Sequence, residues 1–285
     1  HPAEAPCHTA KLWDRRAEEW QKDFVNNRKG NFRVNSALNY LTARGVLQPE
    51  YDVVDIGCGP GRFVAAFAQK ARTALGLDLS PKMVAYGKEY LTAQGTQNAD
   101  LQVCDFQSLD LDAAGWRGAF DLVFSSMTPA IHGTAGLEKL IAMSRAWCCN
   151  VSHLYKRNAL RERVLQEVLG RDPQPILHGR SGLYFYSTFN WLYLMGYCPE
   201  TSYEVHHQEV RITPDEDYAA FFTSHMLDEE DQREEVAKEV LLWLKAHAGP
   251  DGTILEESDT CYARILWDVR QKTSRQDYRA MLQED

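Results

Sequence analysis

Between residues 51 and 153, short apolar runs alternate with stretches of helical period. Segments 51–56, 73–79, 101–104, 120–125 and 146–153 read as strands, because each is a brief run of mostly apolar residues with turn signals at its ends. Segments 62–70, 81–94 and 136–143 between them carry apolar residues at helical spacing. Strands alternating with helices predict βαβ units and a mostly parallel sheet with helices on both faces.

On the N-terminal side, residues 11–24 place Trp13, Ala17, Trp20 and Phe24 at spacings of four, three and four, one face of an amphipathic helix. A second helix is expected over about 35–43, ending near Gly45. Beyond residue 153 the alternation breaks. A helix over 161–169 precedes a Pro- and Gly-containing loop at 171–182, and residues 184–197 are dense in aromatics, among them Tyr184, Phe185, Tyr186 and Trp191. A strand at 202–212, two acidic helices within 215–247 and a last strand at 260–269 complete the pattern. The helices would turn Tyr218, Phe221 and Phe222, and then Val236, Val240 and Leu244, inward.

Composition narrows the class of protein. At 285 residues, 44% hydrophobic and 25% charged, the chain is an ordinary globular one with no disorder signature. Its formal net charge of -9 argues against nucleic acid as the main partner, since phosphate binding calls for a basic surface. Seven cysteines with no Cys-x-x-Cys pair support neither a disulfide framework nor a structural zinc site, and no metal is expected. No signal-like stretch or membrane-spanning run is present, so a cytoplasmic location without membrane insertion is the expectation.

The most informative segment is Val53-Val54-Asp55-Ile56-Gly57-Cys58-Gly59-Pro60-Gly61-Arg62-Phe63, which joins a buried strand to a helix. Glycines at alternate positions let the backbone turn sharply and approach a ligand, and the helix that follows offers free N–H groups. A dinucleotide fingerprint requires Gly-x-Gly-x-x-Gly, but Arg62 stands at its last position. Asp78, 21 positions after Gly57, ends the next strand, where a carboxylate can accept both hydroxyls of a ribose. Ser80-Pro81 then reads as a helix N-cap and first-turn proline, with Met83 in that first turn.

This pattern closely resembles the first motif of class I S-adenosylmethionine (SAM)-dependent methyltransferases. The resemblance, strong over about residues 50–150, implies a Rossmann-like, doubly wound, mostly parallel seven-stranded α/β sheet. It would carry N-terminal helices and a helical insertion after the fifth strand. A single methyltransferase domain over 1–285 is expected: a cap at 1–48, a SAM-binding core at 49–154, an insertion or lid at 155–200, and a C-terminal part at 201–285. SAM is the implied cofactor and S-adenosylhomocysteine the product. Asp55 would lie near the amino acid part of SAM, with Gly57, Cys58, Gly59 and Gly61 in the turn against it. Asp78 would meet the ribose, Leu79 is a further cofactor contact, and Met83 would lie against the adenine. Asp105 would meet the adenine amino group, with Phe106 beside the ring, and Ser125 would end the strand that faces the transferred methyl.

For the acceptor, the resemblance implies a small molecule. RNA or protein methylation, or SAM binding without catalysis, are the alternatives. No Asn-Pro-Pro-Tyr-type motif follows the fourth strand, which counts against the first of these. His132, just after that strand, is the candidate general base, although as a loop residue it also suits a helix cap. His153, at the end of the fifth strand, is a candidate of the same kind, and His178 and Asn190 lie in or near the insertion. Tyr184 and Tyr186 are candidate acceptor contacts, and their segment, with the Trp13–Trp20 helix, is expected to close over the acceptor. Arg28, Lys29, Arg33 and Arg44 read as a solvated basic face, and Asp228 to Asp231 as solvated surface. Cys148 and Cys149, adjacent in a strand, point to opposite faces and cannot share one ligand.

Overall fold

The computed structural model describes residues 10, 13–14, 28–172, 180–224 and 233–273. After helix α1 (Arg28–Ala43) the expected alternation follows: β1 (Asp52–Ile56), α2 (Arg62–Ala68), β2 (Thr73–Asp78), α3 (Pro81–Ala93), β3 (Ala99–Val103), β4 (Phe120–Ser126), α4 (Gly133–Met143) and β5 (Ser144–Asn158). The remaining elements are α5 (Ala159–Glu167), α6 (Arg180–Leu194), β6 (Glu200–Ile212), α7 (Glu216–Ser224), α8 (Arg233–Ala246) and β7 (Ile254–Asp268). Seven strands form one sheet in the order β3-β2-β1-β4-β5-β7-β6. The pairs β1–β2, β1–β4, β2–β3 and β4–β5 are parallel.

Register sorts the side chains of the central strands into two faces. Val54, Val123 and Cys148 lie abreast on one face, and Asp55, Phe124 and Cys149 on the other. Helix α4 covers the first face, where Cys148 Sγ approaches the Leu140 carbonyl. Helices α1 and α2 cover the second, which forms a core of Val34, Leu41, Phe63, Phe67, Leu122 and Phe124 with their neighbours. Phe124 sits between two rings there, 4.9 Å from Phe63 and 5.0 Å from Phe67. Burial on both faces explains why these strands read as continuous apolar runs. At the amino ends of the strands, Asp52 and Asp121 accept hydrogen bonds from Arg145, and Asp52 from Arg72 and Thr73 as well.

The chain divides into two compact units. The first comprises the described residues of His1–Ser152, Ser187–Ser202 and Arg264–Asp285, and the second those of His153–Tyr186 and Tyr203–Ala263. The division falls inside β5, α6, β6 and β7. The second unit has its own core of Leu160, Val164, Phe222, Val240, Leu244 and Ile254, and Asn158 caps α5 by accepting from the Arg161 N–H at 2.9 Å. Among the described residues no helix is long and apolar enough to cross a membrane.

Candidate functional site

The strand order reverses between β1 and β4: the chain runs outward through β2 and β3, then returns to β4 on the other side of β1. Ligands of such sheets bind in the crevice outside the carboxyl ends at this point. The turn after β1 lies there. Gly57, Gly59 and Gly61 have φ of +71, +53 and +74°, a region that side-chain-bearing residues rarely adopt. Gly57 is also required for space, because a Cβ there would lie 2.0 Å from Thr128 Oγ1 of the loop after β4.

Two carboxylates flank this turn with opposite degrees of satisfaction. Asp78, at the end of β2, accepts from Gly59 N–H at 2.8 Å through one oxygen and from Ser80 N–H at 2.9 Å through the other. Burial raises its pKa, those two bonds oppose the shift, and the charge of Asp14 adds to it. Asp55, on β1, is 2% exposed, and neither of its oxygens has a hydrogen-bond partner. Burial, reinforced by the charge of Asp78, drives its pKa well up, while Arg33 of α1 pulls the other way. A buried ionisable group without a hydrogen bond is unfavourable and normally absent from a finished core.

The other expected contacts vary in how open they are. Cys58 is buried, its thiol pushed up by burial and by the charges of Asp55 and Asp78. Leu79 is half-buried. Ser80 caps α3 by accepting from Met83 N–H at 3.1 Å, donates to Asp14 Oδ1, and leaves Met83 almost fully buried. Asp105 is exposed and accepts from Gln107 N–H at 3.0 Å. Phe106 is buried, and Lys139 lies 5.6 Å from its ring centre while donating to the Phe106 and Gln107 carbonyls. Ser125 is fully buried and accepts from Asn150 Nδ2 at 2.8 Å.

His132 is the exposed N-cap residue of α4, and its side chain makes no capping bond. Tyr184 is half-buried and Tyr186 exposed, both in the second unit. Phe185 between them is buried, 5.3 Å from Tyr186 and 5.8 Å from Tyr203. Trp20, His178 and the acidic run 228–231 lie outside the described residues, as do the side chains of Arg28 and Lys29. Sequence reasoning did not single out Asp14 or Ser126, and it read Arg33 as part of a solvated basic face, whereas Arg33 acts on the Asp55 carboxyl. Their roles come from contacts across long sequence separations, or from strand register, and carry no local signal. One further group, His207, Glu209 and Glu257 of the second unit, brings three metal-capable atoms within 4.8 Å of one another, all on exposed side chains.

Residues 53–150 match a family described as a methyltransferase domain. This stretch is a methyltransferase domain. Over 123 residues the chain is 31% identical to a 23S rRNA (uracil(1939)-C(5))-methyltransferase of Photobacterium angustum, covering 42% of this chain and 53% of that protein. Over 75 residues it is 31% identical to a 2-heptyl-1-hydroxyquinolin-4(1H)-one methyltransferase of Mycobacteroides abscessus, covering 26% and 31% respectively. The chain thus spans about half the length of one of these curated relatives and less of the other. Among solved structures, magnesium protoporphyrin IX methyltransferase from Synechocystis PCC 6803 with bound S-adenosylhomocysteine aligns at 22% identity and a TM-score of 0.42, over 60% of this chain and 75% of that one. The methyltransferase domain coincides with β1–β4, α4 and the start of β5, the elements that carry the glycine turn, Asp55 and Asp78.

Proposed function

We propose that the methyltransferase domain binds SAM at the carboxyl ends of β1–β4 and that the chain transfers its methyl group to a small-molecule acceptor. The observation that carries this reading is Asp55, a buried carboxylate without a hydrogen-bond partner beside a left-handed glycine turn. The ammonium of the cofactor's amino acid part supplies the donors and the positive charge that this carboxylate lacks. Asp78 already accepts two backbone N–H bonds, and lone pairs remain on its oxygens for the ribose hydroxyls. Gly57, Gly59 and Gly61 would let the backbone approach the ligand, and Met83, in the first turn of α3, would be the residue against the adenine.

When bound, SAM supplies a methyl group already activated by its sulfonium. The residues of the chain then have to align the acceptor lone pair with the carbon–sulfur bond and keep water out. An acceptor that must lose a proton needs a base, and His132 at the start of α4 is the candidate. The curated relatives name both a ribosomal RNA and a quinolone. A net charge of -9 supports the small molecule, because a phosphate backbone would meet an acidic surface. Calorimetric titration with S-adenosylhomocysteine tests the cofactor reading. Saturable binding is expected, and tight binding of NAD with none of S-adenosylhomocysteine overturns it.

A further inference from the structure

Residues 203–209 of β6 alternate between exposed and partly covered positions, so His207 and Glu209, two apart, stand on one exposed face of the strand. β6 is the edge strand of the sheet and pairs with β7. On β7, Glu257 and Asp259 are also two apart, and both reach the same place. Asp259 Oδ1 lies 2.7 Å from His207 Nδ1, and Glu257 brings an oxygen within 4.8 Å of the His207 and Glu209 ligand atoms. All four residues belong to the second compact unit.

Their roles differ. A ring that donates its Nδ1–H to Asp259 presents a lone pair at Nε2, the arrangement in which a carboxylate orients a metal-binding histidine. Nε2 is 3.3 Å from Glu209 Oε1. That separation is longer than the usual N–H···O bond of about 2.7–3.2 Å, and it matches the edge of a tetrahedron whose metal–ligand bonds are about 2.0–2.1 Å. Charge points the same way. Three carboxylates surround one imidazole, and the group stays anionic even with the ring protonated. Among the described residues no lysine or arginine forms an ion pair with Glu209, Glu257 or Asp259. Arg157, whose charge reaches Asp259, is itself paired with Glu162 at 2.7 Å. Glu257 is exposed and has no hydrogen-bond or ion-pair partner among the described residues, so it can turn in toward a cation at little cost.

We propose that His207 Nε2, Glu209 and Glu257 hold a divalent transition-metal ion that ties β6 to β7, with Asp259 as the positioning residue behind the imidazole. This goes beyond the cofactor reading and does not depend on it. One imidazole nitrogen with two carboxylates suits zinc or a neighbouring first-row ion better than magnesium or calcium, which take oxygen ligands. Water completes the coordination of so exposed a site. Cysteine spacing, the ground for expecting no metal from the sequence, does not register a group built from four residues on two strands.

The test titrates the intact, chelator-stripped chain with Zn²⁺ and separately with Mg²⁺, by calorimetry and by thermal unfolding. The wild type is expected to show one saturable Zn²⁺ site and a higher Tm in Zn²⁺, and neither response to Mg²⁺ at the same concentration. His207→Ala and Glu257→Gln are each expected to lose that site and the Tm gain. Asp259→Ala is expected to weaken Zn²⁺ binding by about 10–100-fold, the usual effect of removing the carboxylate behind a metal-bound histidine. Glu257→Gln removes no contact of the metal-free fold, so its Tm without metal should match the wild type, which separates lost binding from lost folding. Zn²⁺ binding that is unchanged in His207→Ala and Glu257→Gln overturns the assignment, because the ion then sits elsewhere. A wild type without saturable Zn²⁺ binding, or one that responds equally to Mg²⁺, overturns it as well.

Discussion

Replacing Asp55 with Asn should make the ligand-free protein more stable and the cofactor complex weaker. The side chain is 2% exposed, its two oxygens lack hydrogen bonds, and the Asp78 carboxylate is close enough to raise its pKa further. Ionised Asp55 in the empty site thus carries a desolvation cost and a repulsion, only partly offset by Arg33. Asn keeps the shape and removes the charge. An unpaired buried polar group costs about 1–3 kcal/mol and a charged one more, so relief of about 1–3 kcal/mol is expected at neutral pH. For a chain somewhat above 150–250 residues, that raises Tm by about 2–4 °C or slightly less for each kcal/mol. In the complex the sign reverses. A hydrogen bond to a charged partner is worth about 1.5–3 kcal/mol, so S-adenosylhomocysteine should bind roughly 10–100-fold more weakly.

The pH dependence separates this cause from a packing effect. Burial raises the folded-state pKa of Asp55 above its unfolded value of about 3.9. Such a group favours the folded state below the unfolded pKa, and that contribution is lost as pH rises through the folded pKa. The stabilisation by Asp55→Asn should therefore be small near pH 5 and larger near pH 8, read by thermal unfolding without ligand. Wild-type affinity for S-adenosylhomocysteine should rise over the same interval, with proton release on binding. A variant that is neutral or destabilised at both pH values would show that the carboxylate is satisfied in solution. Unchanged affinity would show that it does not meet the ammonium.

Asp78→Ala should weaken S-adenosylhomocysteine binding by about 1–3 kcal/mol, and also lower Tm, because the Gly59 and Ser80 N–H groups lose their acceptor; equal affinity in calorimetry rejects the ribose role. His132→Ala should cut methyl transfer by about 10²–10⁴-fold with cofactor binding unchanged if His132 is the base, and unchanged turnover assigns it to the helix start alone. At the other end of the sheet, hydrogen bonds from Arg72, then Thr73 and Arg145, hold the Asp52 carboxyl well below the usual carboxylate range. A depressed pKa stabilises the fold above the unfolded value and is lost as pH falls. Asp52→Asn should therefore lower Tm at pH 7 and matter progressively less on acidification below about pH 4; a deficit that stays constant down to pH 3 would reject the ion-pair account.

The elements most legible in the sequence are those buried on both faces. β1, β2 and β4 lie within a residue or so of their expected limits, because burial on both sides leaves an uninterrupted apolar run. The later strands were harder to delimit. β5 continues to Asn158, five residues past its expected end, through Lys156, Arg157 and Asn158, which are partly or wholly exposed and carry no apolar signal. β7 begins at Ile254, ahead of the expected 260, through a stretch containing Glu256, Glu257 and Asp259. The aromatic segment folds as α6, with Phe185, Thr188 and Leu192 buried at helical spacing, so its Tyr residues are not equivalent. Tyr186 is turned out and Phe185 in, a distinction the aromatic content alone does not carry.

The site follows a different rule, because its informative residues break the pattern that builds the core. Apolar alternation identifies the strand that contains Asp55 and the strand that ends in Ser125-Ser126, but not which serine shares a face with the carboxylate. That depends on the β1–β4 register, and a shift of one residue would exchange them. Once register is fixed, hydrogen bonding separates the two. Ser125 is satisfied by Asn150 and serves the sheet, whereas Ser126 and Asp55 are left unsatisfied on one face at one edge. Stability alone would favour apolar or mutually bonded residues at both positions. Both stand beside a glycine turn and a left-handed Met127. The same logic explains why Asp78, with both oxygens already engaged, was legible from the strand end it occupies: its structural bonds and its proposed ligand bonds call for the same acid at the same place.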